Sequence, residues 1–538
     1  MFALHYHDAT KHYFNRFARS LGYLDWATQP DPFRRYDGAP LIELAREPIA
    51  GDVPYDALFG SLTNDRHALP INQRTIGEFL RCSMGLSAWK QYQASRWALR
   101  VNPSSGNLHP TECYIVWDGR VCHYAPREHA LEVRCEIDAR AIKGRDGWFL
   151  VGLTSIIWRE AWKYGERAFR YCQHDVGHAI GALRFAAALL GWRLRLLPWA
   201  DADVAAVLGV DRDDDFRHAE REEPECIAVV SQHAAGEPLE SSETVVAAGH
   251  GTWCGRANAL SRAHVEWPII DGVAAATRRQ ESGIWNHDSG RVRNQAFDSG
   301  IGNQGNQPLA RQIILQRRSA VAFDGRSMLP AAAFFSMLQH LEPCGSPWDA
   351  VDWPPQVHLA MFVHRVEGLV PGIYAYLRDD VLEEWRAAMR PEFLWEKVVA
   401  NGPNANDPND PNAKRGLFLL LPMDVKFAGM RVSCDQDIAG DGFFSLGMLA
   451  RFEPALQERG QWFYRRLFWE CGLIGQVLYL EAEAARARGT GIGCFYDDAV
   501  HEVLGTEGNT WQSLYHFSMG MPVEDSRLTN EPGYPGSW

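Results

Sequence analysis

Residues 169–192 read FRYCQHDVGHAIGALRFAAALLGW, and residues 463–489 read FYRRLFWECGLIGQVLYLEAEAARARG. Each stretch holds an arginine, an acid and a glycine at the same spacing: Arg170, Asp175 and Gly177 in the first, Arg465, Glu470 and Gly472 in the second. Beyond each glycine, apolar residues return at helical intervals, at Ile180, Leu183 and Ala187 and at Ile474, Leu478 and Ala482. This pattern predicts two long core helices. A polar skeleton shared by both predicts that one folding unit occurs twice in the chain.

A hairpin is predicted upstream of each helix. Glu112–Tyr124 (ECYIVWDGRVCHY) has β-forming residues on both sides of Asp118-Gly119, a pair suited to the positive φ angles of a tight turn. Leu359–Tyr376 (LAMFVHRVEGLVPGIYAY) turns around Glu367-Gly368 and Pro371-Gly372. Gly119 and Gly368 are 249 residues apart but Gly177 and Gly472 are 295 apart, so the second unit carries 46 extra residues between hairpin and helix. They include NGPNANDPNDPNA, residues 401–413, whose Asn, Asp and Pro favour turns and offer no apolar face, so a solvated loop is expected. The expected divisions are an irregular, proline-rich arm over 1–64, a domain over 65–235, a linker or wrapping segment over 236–310 and a second domain over 311–538. The arm could pack on the domains or on a partner chain, and the linker holds a short helix around 255–265.

At 538 residues the chain is too long for one hydrophobic core, which agrees with two domains. A net charge of −13 with no long basic run would repel a phosphate backbone, so nucleic acid is not an expected partner. Eleven cysteines, odd in number and without a C-x-x-C pair, fit neither a disulfide framework nor a zinc ribbon. Reduced thiols follow, and with them a cytoplasmic location. The opening MFALHYHDATKHYFNRF lacks a signal-peptide core, and no later stretch reaches the about 18 apolar residues of a bilayer span, so no membrane partner is expected.

Four segments could carry chemistry. Asn102–Glu112 packs Pro103, Ser104, Ser105, Gly106 and Asn107 ahead of the first hairpin. It is either an Asx/Ser turn entering a strand or a set of donors and acceptors for a planar polar ligand. Gln316-Arg317-Arg318-Ser319 is either a solvated helix end or a phosphate site, since paired guanidiniums present rigid forks of donors. Gly489-Thr490-Gly491-Ile492-Gly493 follows a helix, so it is no dinucleotide fingerprint. It is a helix-ending turn, or a place where backbone amides approach a ligand ring. Lys163-Tyr164 could move protons if burial brings either pKa toward neutrality, or be ordinary helix residues. His174 and His178 stand at i, i+4 as on metal-binding helices, but the acid after the first is Asp175 rather than Glu, the second unit has no matching histidine, and no third ligand stands out. No metal is expected there.

Together PSSGNLHPTECYIV, REAWKYGERAFRYCQHDVGH, QRRSAVAFDG, RVEGLVPGIYAY and GTGIGCFYDD resemble the nitroreductase-like flavoproteins, most closely the branch of SagB/ThcOx-type dehydrogenases, over 65–235 and 311–527. The resemblance implies an α+β fold, two tandem domains forming an intramolecular pseudo-dimer, and flavin mononucleotide (FMN) as cofactor. It implies that Arg317, Arg318 and Ser319 hold the phosphate and flavin edge, that Gly491 and Gly493 lie near the ring, and that Pro103, Ser104, Ser105 and Asn107 come from the other copy. The mirror-related site lacks its parts, because residues 68–70 are Ala-Leu-Pro and no PSSGN stands between Ser327 and Met361. One flavin per chain is therefore expected. Lys163 and Tyr164 match the proton-transferring pair of the dehydrogenases. The implied activity is an FMN-dependent oxidoreductase acting on a small organic or modified-peptide substrate, with an NAD(P)H-dependent nitro or quinone reductase as the alternative within enzymes. The alternative outside enzymes is a flavin-free scaffold of a peptide-modifying complex. The duplication and the long arm depart from that branch, and further oligomerisation of the pseudo-dimer stays open.

Overall fold

Asp118 and Gly119 take φ angles of 51° and 71°, and Trp117 pairs with Arg120 across them, so the first hairpin closes on a two-residue turn. The computed structural model describes residues 1–60, 68–138, 147–233, 240–283, 308–399 and 414–535. The chain forms two units. The first comprises Arg19–Gln316, Cys344–Pro354 and Ser526–Trp538, and the second Met1–Ala18, Arg317–Pro343 and Pro355–Asp525. The architecture is α+β in both.

In the first unit the sheet order is Thr252–Trp253, Ala130–Glu136, Arg120–Ala125, Thr111–Trp117, Trp148–Ser155, Glu223–Ser231 and Arg193–Leu196, with Leu41–Glu43 also on Ala130–Glu136. In the second it is Glu396–Val398, Gly416–Pro422, Gly372–Leu377, Val357–Val363, Phe444–Arg451, Trp511–Gly520 and Arg488–Ile492. All of these pairings are antiparallel. Both sheets share one path: second hairpin arm, first hairpin arm, the strand before the long helix, the second strand after that helix, and the first strand after it. The two units therefore repeat one topology.

The long helices are Ala168–Leu189 and Phe463–Ala484, each 22 residues, and both are buried on every side. A helix without a wet face must satisfy its polar residues inside the protein. Gln173 Nε2 donates to Glu225 Oε1 at 2.8 Å, Arg184 binds Asp349 through two bonds of 2.8 and 2.7 Å, and His340 Nδ1 lies 2.7 Å from Glu481 Oε1. The acid of the repeated skeleton does the same job twice. Asp175 accepts from the Ser105 N–H at 3.1 Å, and Glu470 accepts from the N–H groups of Gln356 and Val357 at 3.0 and 3.2 Å. Each fastens the chain as it enters the first hairpin arm. Glu470 also receives the buried Arg378 guanidinium.

The arm is divided. Phe2–Ala9 is a helix of the second unit, where Tyr6 meets Tyr464 edge-on at 6.2 Å and His7 Nε2 lies 3.1 Å from Gln512 Oε1. Residues from 19 onward join the first unit, where Arg34 pairs with Glu222 at 3.2 Å and Tyr36 Oη donates to Glu222 at 2.9 Å. Beside them His123 sits buried between Glu112 and Glu132, at 3.0 and 2.8 Å. The two carboxylates outweigh its desolvation and raise its pKa to about 9.

Residues 255–265 are not the helix expected there. Arg256–Ala257 pairs with Tyr36–Asp37, and Asn258 donates its N–H to Arg35 O, so the backbone is spent on the arm. Helices flank it instead, at Ser241–Gly249 and at Pro268–Ala276, the latter with proline in its first turn. The 401–413 loop lies outside the described residues, as does most of 284–307. Among the described residues, no helix is long and apolar enough to cross a membrane.

Glu470→Ala would leave Arg378 buried without its carboxylate and two strand-entry N–H groups without an acceptor. A loss of about 3–5 kcal/mol is expected in denaturant melts, with Glu470→Gln less affected. An Ala variant as stable as wild type would remove this account of the repeated acid.

Candidate functional site

The loop Pro103–Asn107 hangs between Ser95–Arg100 and Thr111–Trp117. Gly106 and Asn107 both take φ of 59° and His109 takes 52°, a tight left-handed run. Internal bonds hold it: Asn107 N–H donates to Ser104 O at 3.1 Å, His109 N–H to Ser104 Oγ at 2.8 Å, and Asn107 Nδ2 to Ala98 O at 2.9 Å. Ser104, Ser105 and Asn107 stay half-buried, Gly106 is exposed and Pro103 is buried.

Asp175 reaches this loop from the long helix, receiving Ser105 N–H and, at 3.3 Å, Ser105 Oγ. Burial outweighs these bonds and raises its pKa to about 7. Glu160 stands nearby on Ile157–Tyr164, with both carboxylate oxygens buried and without a hydrogen-bond partner. Burial, then the charge of Asp175, pushes its pKa well above the usual carboxylate range. Lys163 and Tyr164 end the same helix. A methyl group on Gly106 would come within 2.6 Å of Tyr164 Oη and 3.1 Å of Lys163 Nζ, so both polar tips stand against the exposed loop glycine. The first unit thus gathers Ser104, Ser105, Lys163, Tyr164, Asp175 and Glu160.

The second unit gathers the other segments. Arg317 is buried, its guanidinium 5.1 Å from the Tyr479 ring centroid. Arg318 N–H donates to Glu483 Oε1 at 2.9 Å. Ser319 is exposed, with Oγ 3.0 Å from Tyr479 Oη, which in turn accepts from Gly491 N–H at 2.8 Å. Ser319 also bridges Gly489 in parallel. Arg488 faces Glu483 at 3.7 Å. Burial, then the charge of Arg317, with Arg488 adding to it, lowers the Arg318 pKa to about 10.

The glycine segment is a strand, Arg488–Ile492, not the helix-ending turn that spacing allowed. Its glycines make room for rings of the adjoining strand: a Cβ on Gly489 would meet Phe517 at 2.3 Å, and one on Gly491 would meet Tyr515 Oη. Gly493 lies just past the strand end. The sequence reading missed Glu160, Tyr479, Glu483 and Arg488, and counted Asp175 only as skeleton. Tyr479 and Glu483 stand at i, i+4 on a helix traced through its apolar positions, so that polar stripe was the available signal.

No known family profile matches this chain, and no curated protein does. Solved structures do. A candidate nitroreductase of Anabaena variabilis superposes with a TM-score of 0.68 at 19% identity, covering 97% of this chain and 99% of that one. A candidate nitroreductase of Ralstonia eutropha covers 39% of this chain and 97% of its own at 14% identity, TM-score 0.28. The microcin synthetase McbBCD complex of E. coli covers 35% and 71% at 20% identity, TM-score 0.25. The first of these shows that the whole chain shares a known fold.

Because the folded pKa of Asp175 is raised, its contribution to stability is full below the unfolded value of 3.8 and lost as pH rises through about 7. Denaturation of wild type and Asp175→Asn from pH 4 to 8 should show wild type losing stability relative to the variant across that window, by up to about 1.4 kcal/mol per pH unit. A flat difference would refute the raised pKa.

Proposed function

We propose that this chain is an FMN-dependent oxidoreductase, a tandem duplication of a nitroreductase-like domain whose two copies contribute to one flavin site. The observation that carries the reading is the cluster of Arg317, Arg318 and Arg488, in which burial and then the neighbouring cations lower the Arg318 pKa to about 10. Such a cluster gains from an anion, and its forked donors suit a phosphate better than a carboxylate-lined cation site would. Ser319 and the Tyr479–Gly491 bond supply neutral polar groups beside it, suited to a ring edge. Full-length likeness to a candidate nitroreductase fold supports the reading at the level of fold.

Only one site is proposed. The second unit's counterpart of the Ser104–Asn107 loop gives its N–H groups to a carboxylate already paired with Arg378, and it carries no paired hydroxyls. In the first unit, Ala68, Leu69 and Pro70 stand where an RRS would be needed, and residues 65–67 lie outside the described residues.

When bound, FMN would supply the two-electron chemistry. The protein's share is positioning and protons. Pro103, Ser104, Ser105 and Asn107 present a rigid polar loop, and Gly491 and Gly493 would lie near the flavin ring. Lys163 Nζ and Tyr164 Oη hold and deliver protons beside Gly106, while Asp175, with its pKa raised to about 7, and the buried Glu160 stand behind the loop. We take the activity as a dehydrogenase of the SagB/ThcOx type acting on a small organic or modified-peptide substrate, with NAD(P)H as possible electron donor in the reductase alternative. A cytoplasmic location belongs to the same proposal.

The protein should bind FMN, seen as quenching of flavin fluorescence on titration. Arg317→Ala should weaken binding about 10–100-fold, and combining it with Ser104→Ala and Ser105→Ala should abolish binding in a chain that keeps its circular dichroism. A chain that never binds flavin would leave the scaffold alternative. Tyr164→Phe and Lys163→Met should keep flavin but lower kcat by about 10²-fold or more. Bleaching of the flavin by NAD(P)H without oxygen would select the reductase, and no bleaching the dehydrogenase.

A further inference from the structure

We propose that His12, Cys434 and Cys494 form a binding site for one thiophilic metal ion of the zinc class, which latches the N-terminal segment onto the second unit. The three come from distant parts of the sequence, so no spacing motif announces them. In the fold, Cys434 Sγ lies 3.2 Å from Cys494 Sγ, and Cys494 Sγ lies 3.8 Å from His12 Nδ1. All three donor atoms lie within 4.8 Å of one another. A tetrahedral ion with bonds of about 2.3 Å to sulfur and 2.0–2.1 Å to nitrogen separates its donors by roughly 3.5–3.8 Å. The trio needs only a small adjustment to surround one. A disulfide needs about 2.05 Å, and neither sulfur is engaged in one.

The backbone brings these donors together without help from an ion. Cys434 and Asp435 take φ of 56° and 55°, two successive non-glycine residues in the left-handed region, each costing about 1 kcal/mol or more. Gln436 Nε2 ties that turn to the other cysteine loop, donating to Ser433 O at 2.7 Å and Cys494 O at 2.9 Å. Asp435 is held by Arg431 at 2.9 Å and by Tyr496 Oη at 3.0 Å. His12 is pinned on both sides of its peptide: its N–H donates to Asp497 Oδ2 at 2.8 Å, and its carbonyl accepts from Asp497 N–H at 3.1 Å. Lys11 Nζ adds an ion pair with Asp498 at 2.9 Å. His12 is buried and both cysteines are half-buried.

Two thiolates and an imidazole are soft and borderline donors, which favour zinc over magnesium or calcium. Binding converts two thiols to metal-bound thiolates and releases two protons to solvent, with no change of oxidation state. It would join residue 12 to loops more than 400 residues later in the chain.

The test uses the full chain, reduced and freed of metal. Native mass spectrometry with zinc chloride should show one ion per chain, and zinc should protect Cys434 and Cys494 from alkylation while other accessible cysteines still react. Zinc should also slow proteolysis within residues 1–18. Cys494→Ser and Cys434→Ser should each weaken zinc binding by more than the roughly 10–100-fold typical of outer-shell partners. His12→Gln should weaken it too. No zinc uptake by the reduced wild-type chain, or uptake unchanged in the double cysteine variant, would overturn the proposal. So would recovery of a Cys434–Cys494 disulfide in a chain that takes no metal once reduced.

Discussion

A helix of 22 residues buried on every side has no water to turn its polar groups toward, and both units are organised around that fact. The acid about two turns into the helix cannot stay alone. In each unit it finds its partners in the same place, the N–H groups of the chain about to enter the central strand. The helix therefore sets the register of the sheet as well as covering it, and the sheet in turn keeps the helix dry.

The two units answer that constraint differently. In the second unit an arginine neutralises the carboxylate and the strand entry becomes purely structural. In the first, among the described residues, Ser104 and Ser105 supply the donors, the carboxyl pKa is raised to about 7, and the loop that it holds stands against a lysine and a tyrosine. Glu160 belongs to the same economy, because burial and the charge of Asp175 both raise its pKa.

The repeat and both hairpins were readable because they rest on local rules. The Asp118-Gly119 turn needs only its two residues, and the helices need only their period. What the sequence concealed depends on distance. The 255–265 segment looks helical by composition but spends its backbone on residues 35–37, and the glycine strand looks like a turn until the rings of Phe517 and Tyr515 fill the space above it. Arg488 joins Arg317 and Arg318 through the bridge between Ser319 and Gly489 and through Glu483. No window of sequence contains all of these partners.

The chain's ends are exchanged between the units. Residues 1–18 complete the unit built mainly from the last part of the sequence, while Thr529–Pro532 pairs with Leu86–Tyr92 of the other, and Tyr534 Oη donates to Pro126 O at 2.7 Å. On the ribosome this order matters. The opening helix leaves the tunnel hundreds of residues before Tyr464 and Gln512, its partners, have been made. The first unit likewise waits for a closing strand that is translated after the second unit. Neither half can finish folding while the other is unmade, so this chain commits to its native state only once residues 526–535 have followed the second unit, rather than domain by domain.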